Sequence, residues 1–179
     1  MAIICWDLDD TLGDFSGLEN GNGDFQVREG IPELIKECKE RGVINVLTTN
    51  ATRAYAELAL KKSKLDLYFS SIFDRHIVME WQGKKYRQVR RELVCKDELI
   101  IIGNSLWDKP LDVNEIFILD TTSPGLPAHT LKYLLDFMLK AKTPKKGIHK
   151  LYKSAQKTKI KKNVCRILRS PSGEECGIM

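Results

Sequence analysis

The segment Ala2-Ile3-Ile4-Cys5-Trp6-Asp7-Leu8-Asp9-Asp10-Thr11-Leu12 decides how this chain is read. An apolar run leads straight into two carboxylates, Asp7 and Asp9, set two positions apart. Short runs rich in Ile and aromatic side chains suit a strand of a parallel sheet, buried on both faces. In open α/β sheets ligands sit just beyond the carboxyl ends of such strands. Alternation does not put residues two apart on opposite faces, and the chain leaves strand geometry here. Both can then converge on one cation and one phosphate. Asp and Thr also serve in turns and helix caps. The position directly after a strand favours the chemical reading over that structural one.

Outward from this strand, residues 13–24 are rich in Gly, Asn and Asp and read as loop. Residues 31–41 carry Ile31, Leu34, Ile35 and Cys38 at helical spacing. Pro32 suits the first turn of that helix and Gly42 its stop. Residues 43–47 form a second strand, ending in Thr48-Thr49-Asn50. A helix over 53–62 follows, with Ala54, Leu58 and Ala59 expected on its inner face. Residues 72–79, 99–102 and 116–119 read as further strands, and 86–94 as a helix. A last helix spans 126–139 with Leu131, Leu134, Leu135 and Met138 facing inward. Strands alternating with helices predict an α/β fold, Rossmann-like and three-layered, around a mostly parallel five-stranded sheet.

The length of 179 residues accommodates one such domain, expected over 1–143, and a tail over 144–179. No apolar stretch approaches the roughly 20 residues that cross a bilayer. Acidic residues begin at Asp7 with no basic flank before them, so no signal peptide is expected. Cys5, Cys38, Cys95, Cys165 and Cys176 are odd in number and form no C-x-x-C pair, which argues against zinc and a disulfide framework. A reducing cytoplasm fits. The net charge of +5 hides an asymmetry. Residues 140–169 hold twelve Lys or Arg and no acid, so 1–139 carries 17 basic against 22 acidic residues.

Three strand ends carry polar clusters: Asp7 with Asp9, Thr49 with Asn50, and Asn104 to Asp108 after Leu99-Ile100-Ile101-Ile102-Gly103. Adjacent parallel strands would bring them together. Mg²⁺ prefers hard oxygen ligands, keeps several waters, and takes one or two carboxylates plus phosphate. Asp7, Asp9 and Asp108 supply carboxylate oxygen, and Asn104 a neutral carbonyl. A hydroxyl such as that of Thr49, with nearby backbone N–H groups, would hold phosphate oxygens. Lys84 or Lys85 would neutralise phosphate charge.

These residues resemble the haloacid dehalogenase (HAD) superfamily of aspartate-dependent phosphotransferases. Its first motif, a strand then Asp-x-Asp-x-Thr, is matched by Asp7, Asp9 and Thr11. Its second, an apolar strand ending in Ser or Thr, is matched by Val46-Leu47-Thr48-Thr49-Asn50, with Thr49 as the equivalent. The approach Arg28-Glu29-Gly30-Ile31-Pro32-Glu33-Leu34 is also similar. The third motif, a Lys or Arg, falls at Lys85, with Lys84 adjacent. The fourth, usually Gly-Asp-x-x-x-Asp, stands as Gly103-Asn104-Ser105-Leu106-Trp107-Asp108, an Asn replacing the first Asp. The resemblance covers about residues 1–140. It implies a phosphomonoesterase in which Asp7 attacks phosphorus to form an aspartyl-phosphate. Asp9 would protonate the leaving oxygen and later activate water. Mg²⁺ would be held by Asp7, the Asp9 carbonyl, Asn104 and Asp108. Thr49, Asn50, Lys84 and Lys85 would bind the phosphate. A divalent ion and a Lys offset the repulsion between an anionic nucleophile and phosphate. The amide at Asn104 is expected to weaken metal binding.

About 40 residues separate the first and second clusters and about 35 the second from Lys84. Neither gap holds a large cap domain, so the resemblance is to small capless members with an open site. A phosphorylated small molecule or a phosphoprotein is the expected substrate. Two other readings stand beside it: a non-catalytic phosphate-binding scaffold decayed at Asn104, and a nucleic-acid-directed phosphatase using the basic tail through counterion release. The terminal Cys176-Gly177-Ile178-Met179 fits the C-a-a-X lipidation pattern apart from Gly177. A membrane is expected as a partner only if Cys176 is prenylated.

Overall fold

The computed structural model describes residues 2–21, 23–75, 99–104, 116–119, 127–140 and 168–169. The opening apolar run forms strand β1, Ile3–Trp6, with every side chain buried. Strand β2, Gly13–Asp14, pairs antiparallel with β3, Gln26–Val27, and a single helical turn, α1, Ser16–Glu19, lies between them. The stretch read as plain loop thus carries local structure. Its Gly, Asn and Asp residues mark tight turns, and its two-residue strands are too short to show alternation.

Helix α2, Ile31–Glu40, begins with Gly30 in the left-handed region, φ +74°, and carries Pro in its first turn. Strand β4 is Ile44–Thr48 and helix α3 is Arg53–Lys62, capped by the Thr52 hydroxyl, which accepts from the Tyr55 N–H. A 3-10 turn, Asp66–Tyr68, leads into β5, Phe69–Phe73. Strands β6, Leu99–Gly103, and β7, Ile116–Leu119, precede helix α4, Ala128–Leu139. A final strand, β8, is Leu168–Arg169.

The sheet order is β5-β4-β1-β6-β7-β8. The first five strands are parallel, as expected, and β8 adds an antiparallel sixth from the segment read as tail. Chain order runs outward from β1 through β4 to β5, then continues on the other side with β6 and β7. That reversal makes β1 the topological switch point, where open α/β sheets form a crevice beyond their carboxyl ends.

One face of the sheet, with Ile4, Trp6, Leu47, Ile100 and Ile102, packs into the cluster formed by α2, α3 and α4. Ile3, Cys5, Val46 and Ile101 are also buried, so the sheet is covered on both faces. A buried polar network sits inside the first face. The Trp6 indole donates to Asn45 Oδ1 at 3.0 Å, and Asn45 Nδ2 donates to the carbonyls of Ile35 and Tyr68 at 3.1 and 3.4 Å. Each polar group thereby recovers the hydrogen bonding it lost with water. Outside, the Arg41–Asp136 pair at 2.5 Å and the Lys132–Glu37 pair join α2 to α4. Their partial exposure limits such pairs to about 0–1 kcal/mol each.

Two sequence expectations are corrected. Ala54 and Leu58 are exposed, and α3 instead buries Ala56, Ala59 and Leu60. Apolar residues surround this alanine-rich helix, so periodicity could not choose its face. Strand β5 starts at Phe69 rather than at 72 and ends at Phe73, because pairing with β4 recruits Phe69 and Ser71, with Ser70 at an irregularity in the register between them. The expected helix over 86–94 lies outside the described residues. Between β1 and β4, only the β2–α1–β3 excursion and α2 intervene, and no further domain occurs among the described residues there.

Candidate active site

The candidate site lies at the carboxyl end of the sheet, at the ends of four neighbouring strands. At the end of β1 the Asp7 N–H donates to the Ile102 carbonyl at 2.9 Å, carrying the pairing with β6 one residue past Trp6. The chain then turns. The Leu8 carbonyl accepts from the N–H groups of Thr11 and Leu12 while the Leu8 side chain is fully buried, anchoring the loop. Asp10 takes φ +60°, a conformation its short polar side chain tolerates better than most. Its N–H donates to the Gly13 carbonyl at 2.9 Å. Gly13 is required there: a Cβ would lie 2.3 Å from the Gln26 carbonyl oxygen of β3. The turn breaks strand alternation, and Asp7 and Asp9 line one cavity of about 340 Å³.

Thr49, Asn50 and Asn104, three of the residues singled out in the sequence, line the same cavity together with Glu19, Ala51, Thr52, Tyr55 and Arg75. Thr49 is nearly fully buried, and its N–H donates to the Phe73 carbonyl at 2.9 Å. Its hydroxyl oxygen accepts from the Ala51 N–H at 3.1 Å, which leaves the hydroxyl proton available to an anion. Thr48 does not line the cavity. Its hydroxyl lies 3.5 Å from the Trp6 carbonyl. Thr11 is fully buried, and its hydroxyl has no hydrogen-bond partner among the described residues. Lys84, Lys85 and Asp108 lie outside the described residues.

Tyr55 was not foreseen. Its hydroxyl donates to Asp9 Oδ1 at 2.8 Å, holding the carboxylate from the first turn of α3. The usable signal was an aromatic residue three positions after the cap Thr52, directly behind the Thr49-Asn50 cluster. Burial pushes the Asp9 carboxyl above its ordinary range. The Tyr55 hydrogen bond opposes that shift, while the negative charges of Asp10, Glu19 and Asp14 add to it. The Tyr55 phenol is raised in turn, by burial and by the hydrogen bond it would lose on ionising. A carboxyl poised above its normal range can donate a proton near neutral pH and accept one later.

Asn104 donates through Nδ2 to Asp10 Oδ2 at 3.2 Å. This bond ties down the amide nitrogen and leaves the amide oxygen as the group free to meet a cation. Asp7, Asp9 and Asn104 offer only hard oxygen donors, the chemistry Mg²⁺ selects. Among the described residues no cluster of three His, Cys, Asp or Glu can hold a metal by itself. Such donors fit a hard divalent ion whose remaining positions water and phosphate oxygens fill.

No protein-family model and no curated relative matches the chain. Among solved structures it is similar to a HAD-superfamily hydrolase, subfamily IA, variant 1, from Geobacter sulfurreducens PCA. The TM-score is 0.55 at 15% identity, over 66% of this chain and 89% of that one. A predicted phosphatase from Clostridium acetobutylicum gives a TM-score of 0.54 at 18% identity, over 66% of this chain and 83% of the other. At such identities the likeness is one of fold. The chain thus has the α/β fold of HAD-superfamily hydrolases, the class its motifs resemble.

Proposed function

We propose that this chain is a Mg²⁺-dependent phosphatase that hydrolyses a phosphomonoester through an aspartyl-phosphate on Asp7. The observation that carries the reading is that Asp7 and Asp9, two residues apart, line one cavity at the switch point of the sheet. The raised proton affinity of Asp9 separates their roles. An Asp7 oxygen attacks phosphorus, the bond to the ester oxygen breaks, and Asp9 gives that oxygen its proton. Asp9, now a carboxylate, takes a proton from the water that attacks the phosphoenzyme. The Asp7–phosphorus bond then breaks and phosphate leaves. Thr49 donates its hydroxyl proton to a phosphate oxygen, with Asn50 beside it.

Charge supports the need for a metal. The described lining residues include three carboxylates, Asp7, Asp9 and Glu19, against one cation, Arg75. A phosphate dianion enters such a site only with further positive charge. A divalent ion held by Asp7, the Asp9 carbonyl, Asn104 and Asp108 would supply it and stabilise charge in the transition state. Lys84 or Lys85 would add to it. No helix among the described residues is long and apolar enough to cross a membrane. The odd cysteine count without a C-x-x-C pair supports a reducing compartment, the cytoplasm.

The test is hydrolysis of p-nitrophenyl phosphate with and without Mg²⁺, by the chain and by Asp7→Asn. We expect Mg²⁺-dependent turnover that falls at least about 10³-fold in Asp7→Asn without loss of thermal stability. Turnover no higher than that of the variant would overturn the proposal.

A further inference from the structure

We infer that Arg75 reads a second anionic group on the substrate, making the preferred substrate a small phosphomonoester that also carries a carboxylate or a second phosphate. This rests on the phosphatase reading above and narrows its substrate class. Arg75 follows the end of β5 and lines the cavity. Two bonds clamp it to the loop after β4: its N–H donates to the Ala51 carbonyl at 2.8 Å, and Nε donates to the Asn50 carbonyl at 2.7 Å. Engaging Nε aims the side chain and leaves the two terminal nitrogens, the fork that matches carboxylate or phosphate oxygens in pairs.

Position argues against a role on the transferred phosphate. The strand ends run in the order Arg75 on β5, Thr49 on β4, Asp7 on β1 and Asn104 on β6. Neighbouring strands stand about 4.8 Å apart, so the end of β5 is roughly 10 Å from Asp7. The reacting phosphorus must lie about 3–3.5 Å from the attacking oxygen. That separation is between backbones; because Nε is held on the Asn50 carbonyl, the guanidinium stays on the β4 side and meets a group displaced from the phosphate. Glu19 lines the same cavity with negative charge, which leaves Arg75 as the cation among the described lining residues. The volume of about 340 Å³ suits a small molecule.

Steady-state kinetics with Mg²⁺ on three matched compounds test this: glycerol 3-phosphate, 3-phosphoglycerate and glycerol 1,3-bisphosphate. We expect kcat/KM for at least one of the two doubly anionic compounds to exceed that for glycerol 3-phosphate by tenfold or more. Whichever one is preferred identifies the second group as carboxylate or phosphate. Arg75→Gln should cut that ratio at least tenfold, and Arg75→Lys should restore part of it. If Arg75→Gln unfolds, the wild-type and Arg75→Lys ratios decide. Equal kcat/KM for all three compounds, or an equal loss on all three in the variant, overturns the inference. If none is turned over, the phosphatase reading fails, and calorimetry of the same compounds with the Mg²⁺-loaded chain judges Arg75 separately. Tighter binding of a doubly anionic compound, lost in Arg75→Gln, upholds its role, and equal affinities overturn it.

Discussion

The Tyr55 hydroxyl donates to Asp9 Oδ1 at 2.8 Å, joining the start of α3 to the loop after β1 across 46 residues of sequence. This bond favours ionised Asp9 in a setting where burial and three nearby acids favour the protonated form. Tyr55→Phe removes the only opposing influence among those causes, so the Asp9 carboxyl should rise further. If hydrolysis of the phosphoenzyme limits turnover, the step needs ionised Asp9. The acid limb of the kcat profile should then move to higher pH, with kcat down about tenfold at its acidic end. A pH–rate profile that superimposes on that of the wild type would show that Tyr55 does not position Asp9.

Asp9 also carries a stability cost. Its folded-state proton affinity is raised above the ordinary carboxylate value near 3.8, so the folded chain binds the proton more tightly than the unfolded chain. The folded state then loses stability as pH rises from near 3.8 through the folded value. Asp9→Asn keeps an acceptor for Tyr55 without the charge. Without metal at pH 7 its Tm should exceed that of the wild type while turnover is lost. The gap should close in acid, and calorimetric scans at both pH values check it.

At Asn104 the amide serves Asp10 as well as the cavity. Asn104→Asp would set two carboxylates against each other in place of a 3.2 Å hydrogen bond. Without divalent ions Tm should fall. Added Mg²⁺ should recover it, because an ion that binds the folded chain stabilises it by mass action. The slope of Tm against Mg²⁺ concentration should be steeper than in the wild type, and the Mg²⁺ concentration giving half activity about tenfold lower. Equal slopes would count against Asn104 as a metal-facing residue.

Asn45 tests the core independently of the site. Asn45→Ala leaves the Trp6 indole N–H and the Ile35 and Tyr68 carbonyls without their partner inside the sheet–helix layer. An unpaired buried polar group costs about 1–3 kcal/mol. A net loss of about 2–4 kcal/mol is expected, seen as a lower urea midpoint at unchanged m-value.

Elements that bury a clear stripe were legible before any coordinates. Helix α2 was expected over 31–41 and is Ile31–Glu40; α3 runs over Arg53–Lys62 as expected in extent but not in the face it buries. Leu131, Leu134, Leu135 and Met138 are all buried on α4. Local signals failed where pairing partners decide the outcome. Ser71 becomes strand by pairing with Val46 of β4, and Gly13 and Asp14 become strand only against β3. The cavity followed the same division. Asp7, Asp9, Thr49, Asn50 and Asn104 announced themselves as polar groups at strand ends. Tyr55, Glu19 and Arg75 did not, since they reach the cavity from α3, α1 and the end of β5, placements that depend on how those elements pack.

By itself the sequence determined the alternation of strands and helices, and the presence of two carboxylates where the first buried strand stops. Those properties are local: an apolar run and the residues that end it lie within a dozen positions of one another. Only the tertiary structure decided the strand order β5-β4-β1-β6, which makes β1 the switch point. It alone set Tyr55 on Asp9, Asp10 on Asn104 and Arg75 on Asn50. Such contacts join residues 25 to 94 positions apart. They arise from burial of the helices and from β pairing, which no local periodicity encodes.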